Sequence, residues 1–154
     1  MRENALRQFF SGDLSANQLA LEAAASVKKV GPRETNIDIE DMTSSFSLTR
    51  KEVLLLCEAG LHGELPGESI TAIAFMLLAS DHFEWDGDDE IISEILNDWS
   101  CPEVNYPLRP ATFQMHRHWL LGSETPPERP ALAKSSEKGG LISMRRKVLV
   151  KGGP

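Results

Sequence analysis

Cysteine is scarce in this 154-residue chain, and its two copies, Cys57 and Cys101, lie far apart. Neither has a CxxC partner, so both are expected as reduced thiols rather than as a disulfide framework. Long hydrophobic runs are missing too. The longest strongly apolar stretch, Ile70 to Ala79, falls short of the roughly 20 residues a membrane-spanning helix needs. Met1-Arg2-Glu3-Asn4 leads straight into a short amphipathic run without the apolar core of a secretion signal. A cytoplasmic protein with no membrane partner is therefore expected. Nor is there a repeat of solenoid length.

The motifs of common chemistries are equally absent. There is no GxSxG, no P-loop and no GxGxxG. His62, His82, His116 and His118 include no HExxH, and His116 and His118 stand two apart, which on a helix turns them in different directions. They are expected to cap helices or pack at the surface. A zinc site assembled from distant elements would leave no spacing signature. Asp86-Gly87-Asp88-Asp89-Glu90 is rich in carboxylates but lacks the ligand order of an EF-hand loop. Cys57 sits within an apolar run, which suits packing better than catalysis. No catalytic residue, metal or cofactor is expected, and the chain is not read as an enzyme.

What the sequence does have is charge, unevenly placed. The formal net charge is −7, which disfavours direct binding of nucleic acid. From Glu34 to Glu103 there are 17 acidic residues against only Arg50 and Lys51, a net of −15, flanked by segments of +2 and +6. So acidic a middle suits a basic partner.

The patterning predicts an all-α fold, a compact bundle of about five to six helices over residues 1–122, followed by a flexible or loosely docked basic tail, 123–154. Leu6, Phe9 and Phe10 give a short first helix over 2–10. Ser15 and Gln18 form a capping box with Leu14 and Leu19 as its staple, and Leu19, Ala20, Ala23, Ala24 and Val27 face inward until Gly31-Pro32. The signature recurs at Thr49 and Glu52, with Leu48 and Val53. Two apolar helices follow, Arg50 to about Ala59 and about 68–82. Helix 88–99 is cleanly amphipathic, with Ile91, Ile92, Ile95, Leu96 and Trp99 on one face. Pro110 opens a last helix over about 111–121. Residues 31–47, where Ile37, Ile39 and Met42 alternate with acids, are treated as a loop, although a short edge strand fits the alternation. In the Pro- and Gly-punctuated tail, Leu141-Ile142 and Val148-Leu149-Val150, around Arg145-Arg146-Lys147, have the makings of a small strand.

The candidate partner contacts are Glu84, Trp85, Asp86, Asp88, Asp89, Glu90, Glu94, Asp98 and Tyr106. Glu90, Glu94 and Asp98, at i, i+4 and i+8, are expected in a column on the solvent face of helix 88–99. Like charges so spaced repel by roughly 0.2–0.5 kcal/mol per pair, and a basic partner would relieve them while being captured faster. Reversing the three to lysine is expected to weaken binding and leave the fold intact. The plainer reading is a solvated face whose first acids complement the helix dipole. Trp85 and Tyr106 bracket the helix and are expected either as interface anchors or as rim packing.

Two stretches carry a resemblance. Phe9-Phe10-Ser11-Gly12-Asp13-Leu14-Ser15-Ala16-Asn17-Gln18-Leu19 resembles the opening of colicin-type immunity proteins. Phe83-Glu84-Trp85-Asp86, Glu90-Ile91-Ile92, Leu96-Asn97-Asp98-Trp99 and Cys101-Pro102-Glu103-Val104-Asn105-Tyr106-Pro107-Leu108 resemble small helical immunity proteins encoded beside bacterial polymorphic or contact-dependent toxins. The resemblance implies a cytoplasmic inhibitor of one cognate toxin, commonly a basic nuclease, with carboxylates standing in for phosphates. The alternative is a helical adaptor or regulatory module that binds another basic protein.

Overall fold

The computed structural model describes residues 1–32, 34–129 and 141–147, the last through their backbone. The expectations for 130–140 and 148–154, including Val148-Leu149-Val150, lie outside the described residues. Six helices occur among those described: α1 (Glu3–Ser11), α2 (Ala16–Ser26), α3 (Arg50–Leu61), α4 (Gly67–Ala79), α5 (Glu90–Ser100) and α6 (Pro110–Leu121). Five strands join them: β1 (Val27–Lys29), β2 (Glu34–Glu40), β3 (Phe46–Ser47), β4 (Phe83–Glu84) and β5 (Leu141–Lys147). The fold is predominantly helical, and the all-α expectation is corrected by two small sheets, ordered β1-β2-β5 and β3-β4.

The helix starts follow local chemistry. Gln18 N–H donates to the Ser15 hydroxyl at 3.1 Å, and Ser15 N–H donates to the Gln18 side chain at 3.0 Å. At α3, Thr49 N–H donates to the Glu52 carboxylate at 2.8 Å, and the Thr49 hydroxyl donates to it as well. Both boxes satisfy amides that the first helical turn leaves unpaired. Gly122 ends α6 with φ 75°, a left-handed cap that glycine adopts without strain.

α4 is the centre of the core. Ile70, Ile73, Met76 and Leu77 are all buried in it. α5 and α2 pack against α4, and α6 packs on α3. The α3–α6 crossing is close because of Gly60, where an added Cβ would stand 2.7 Å from the Phe113 ring.

The predicted loop over 31–47 is instead partly sheet. Ile37 and Ile39, two apart, turn the same way and are both 2% exposed, with α2 and α4 packed on β2. That burial makes Glu34–Glu40 a strand despite its acids. α2 stops at Ser26, and Val27, expected on its inward face, begins β1, antiparallel to β2. β5 lies along the other side of β2, parallel, with Arg145 opposite Asp38 and Lys147 opposite Glu40. Part of the basic tail thus pairs with part of the acidic middle. No helix among the described residues is long and apolar enough to cross a membrane.

Candidate functional site

The turn before α5 is built by its own acids. Asp88 N–H donates to Asp86 Oδ1 at 2.9 Å, and Asp89, the N-cap, accepts from Ile91 N–H at 3.2 Å. Arg50 at the start of α3 grips Asp89 through Nε at 2.8 Å and Nη2 at 3.0 Å. That guanidinium holds the Asp89 carboxyl below its usual range. Glu84, Asp86, Asp88 and Glu90 are exposed, and among the described residues no lysine, arginine or histidine forms an ion pair with them. Beside this rim lies an open groove of about 580 Å³, lined by Ser47, Arg50, Glu84, Trp85, Asp89 and Ile92 among others. Trp85 is half-buried and donates its indole N–H to Ser93 Oγ at 2.9 Å, so its ring forms a fixed wall.

The column of carboxylates does not stay on the solvent face. Glu90 is exposed, Glu94 is half-buried and Asp98 is 0% exposed. The cause is helical geometry: eight residues at 3.6 per turn rotate a column by about 80°. The column therefore runs from solvent to the side of α5 that α6 and the segment after it cover. Asp98 is corrected from a solvent-facing contact to a core residue. The missing basic counter-charge comes from far along the chain, from Arg129.

Arg129, Glu94, Asp98, His116 and Trp99 converge there. Arg129 donates to Asp98 through both terminal nitrogens, Nη1 to Oδ1 and Nη2 to Oδ2, the latter at 2.8 Å. Its Nε lies 3.1 Å from Glu94 Oε1. Trp99 donates its indole N–H to His116 Nδ1 at 3.0 Å, so the ring proton sits on Nε2, which donates to Asp98 Oδ2 at 3.1 Å. Burial pushes the Asp98 carboxyl up, but the hydrogen bonds from Arg129 and His116 outweigh it and hold the pKa below the ordinary value. For Glu94 burial wins and raises the pKa, even with Arg129 beside it. Tyr106 is half-buried in this network, its ring 5.1 Å from the Arg129 guanidinium carbon and edge-on to His116 and Trp119.

Sequence reasoning missed His116 and Arg129. Thr112, Phe113, His116, Trp119 and Leu120 are all buried on α6, and their 3–4 spacing could have placed His116 inside rather than at the surface. Arg129 follows Pro126 and Pro127 in a segment without periodicity, so no local signal marks it. Of the other histidines, His118 does pack at the surface, with Nδ1 3.0 Å from Ser123 Oγ.

A second buried cluster joins the chain's beginning to the core. Glu3 Oε2 accepts from Ser80 Oγ at 3.1 Å and lies 3.2 Å from His82 Nδ1, and Asp41 hydrogen-bonds Glu3. The ligand atoms of Glu3, Asp41 and His82 lie within 4.8 Å of one another, a donor set that could hold a metal ion. Burial first, and the Asp41 contact next, raise the Glu3 pKa. No family model, no curated protein and no solved structure matches the chain.

Proposed function

We propose that the chain is an immunity-type protein that binds and neutralises a basic toxin domain, acting by binding and not by catalysis. The observation that carries this reading is the acidic rim of Glu84, Asp86, Asp88 and Glu90, exposed beside an open groove. Asp89, Glu94 and Asp98 already have arginine partners within the chain, so the charge left for a partner concentrates in the turn. Four carboxylates on one edge accelerate capture of a basic surface and offer it a substitute for phosphate. Trp85 in the groove wall supplies an apolar anchor. The resemblance of the segments around Phe83–Trp99 and Cys101–Leu108 to toxin immunity proteins points the same way, and the cytoplasm is where such an inhibitor would work.

The test is capture from the native host by the full chain, with the bound protein identified, beside a variant carrying Glu84→Lys, Asp86→Lys, Asp88→Lys and Glu90→Lys. A basic toxin domain should be captured by the wild type, and its association rate should fall at least tenfold in the variant at low salt, with Tm little changed. Undiminished capture by the variant would sink the proposed surface. Capture of a basic protein with no toxic activity would favour the adaptor reading.

A further inference from the structure

We propose that Glu94, Asp98, Tyr106 and Trp119 form an arginine-recognition site that Arg129 fills in cis and that an arginine of a basic partner can take over. This rests on the partner reading above for the source of the second arginine, but the site itself does not. The cradle is shaped for a guanidinium. Two parallel hydrogen bonds run from the Arg129 fork to the two oxygens of Asp98, and Nε faces Glu94. The guanidinium carbon lies 5.1 Å from the Tyr106 ring centre and 5.7 Å from that of Trp119. A lysine ammonium has no plane to lay on those rings and no fork to match the carboxylate. Asp98 is fully buried, and a buried carboxylate left with His116 alone is costly. The cradle therefore requires a cation, from whichever chain supplies it.

The resident arginine is held in a way that permits exchange. Ser123 and Glu124 donate their amides to His118 O. Beyond them, among the described residues, no backbone hydrogen bond ties 125–129 to the domain, and most of that strap is exposed. Among the described residues, its polar attachment to the domain is through the Arg129 side chain, with Pro126 partly buried beside it. The site also continues the proposed docking rim, since Glu94 lies one helical turn from exposed Glu90. A basic partner arriving on the rim would present arginines where exchange for Arg129 costs neither side its hydrogen bonds.

The experiment uses the full chain with Arg129→Ala and a capped Gly-Arg-Gly peptide as probe, against its lysine counterpart at equal ionic strength. Emptying the cradle should lower Tm by on the order of 10 °C. The arginine peptide at millimolar concentration should restore much of that loss and shift the Trp119 and Trp99 indole resonances, while the lysine peptide should do no more than salt. In the wild type the arginine peptide should shift the Trp119 resonance at higher concentration and move the Arg129 Nε–H resonance toward the position of a solvent-exposed guanidinium. Equal effects of the two peptides on Arg129→Ala would overturn the site, and a wild-type Trp119 signal indifferent to the peptide would overturn the exchange. If Arg129→Ala does not fold, Arg129→Lys keeps the charge without the fork and takes the same titration. An inert cradle together with capture lost in the rim variant would overturn the arginine site and leave the partner reading standing. An arginine-selective cradle in a chain that captures no basic protein would support the site and remove the partner reading.

Discussion

At the scale of single residues, Asp98 is tolerated in the core because His116 and Arg129 both donate to its carboxylate. Asp98→Asn keeps the volume, removes the charge and turns an amide toward one of those donors. A loss of about 3–5 kcal/mol is expected, the cost of breaking a buried pair, read as a lower urea midpoint with unchanged m. Lysine at this position would bury a like charge beside Arg129, so reversal of the column at Glu90, Glu94 and Asp98 should unfold the domain rather than merely weaken binding. At Cys57 burial prevails instead. Its thiol is pushed up to about 12 and donates to the Phe113 carbonyl at 3.1 Å. Cys101 is only partly buried. Thiol labelling at pH 8 should modify Cys101 readily and Cys57 only after denaturant is added. Two fast thiols would contradict that packing.

At the scale of elements, most of what the chain declares locally is realised. The boxes at Ser15 and Thr49 depend on residues three apart, so the hydrogen bonds that start α2 and α3 were legible. The burial of Trp99 followed from a regular spacing. β1 was not legible, because Val27 continues the spacing of α2 and only pairing with Ile37 makes it a strand. β2 was half legible: the alternation was visible, but its acids argued for a loop until packing from two helices decided the matter. In the candidate site, the exposure of the turn's acids was legible, whereas the pairing of Glu94 and Asp98 was hidden because their partner lies more than thirty residues away at Arg129. The α3–α6 contact offers a sharp check. Gly60→Ala would force a methyl against Phe113, a ring already packed at 6.1 Å from Trp99. A loss of about 1–3 kcal/mol is expected, and a neutral or stabilising result in chemical denaturation would show that the helices can spread.

At the scale of the molecule, two buried carboxylates pull stability in opposite directions with pH. Asp98 is depressed below its ordinary value of 3.8, so its contribution is present above that pH and is lost as pH falls through the lower native value. Glu3 is raised above 4.5, so its contribution is fully present below that pH and is lost as pH rises through the higher native value. Thermal stability should therefore peak in mildly acidic buffer. Glu3→Gln, which imitates the protonated carboxyl, should raise Tm at pH 7.5 more than at pH 4.5 and flatten the profile, whereas an equal effect at both would show that Glu3 is not the group responsible. The sheet adds a constraint of another kind. Residue 34 pairs with residue 141, and the two strands run parallel, so about two-thirds of the 154-residue chain must be looped before this ladder can close. Such distant pairing carries a large closure entropy and forms slowly. The helices around α4 can assemble first, leaving one side of β2 open in the interval as a strip of unsatisfied backbone. Until β5 arrives, that strip is the place where two nascent copies of the chain would most readily stick together.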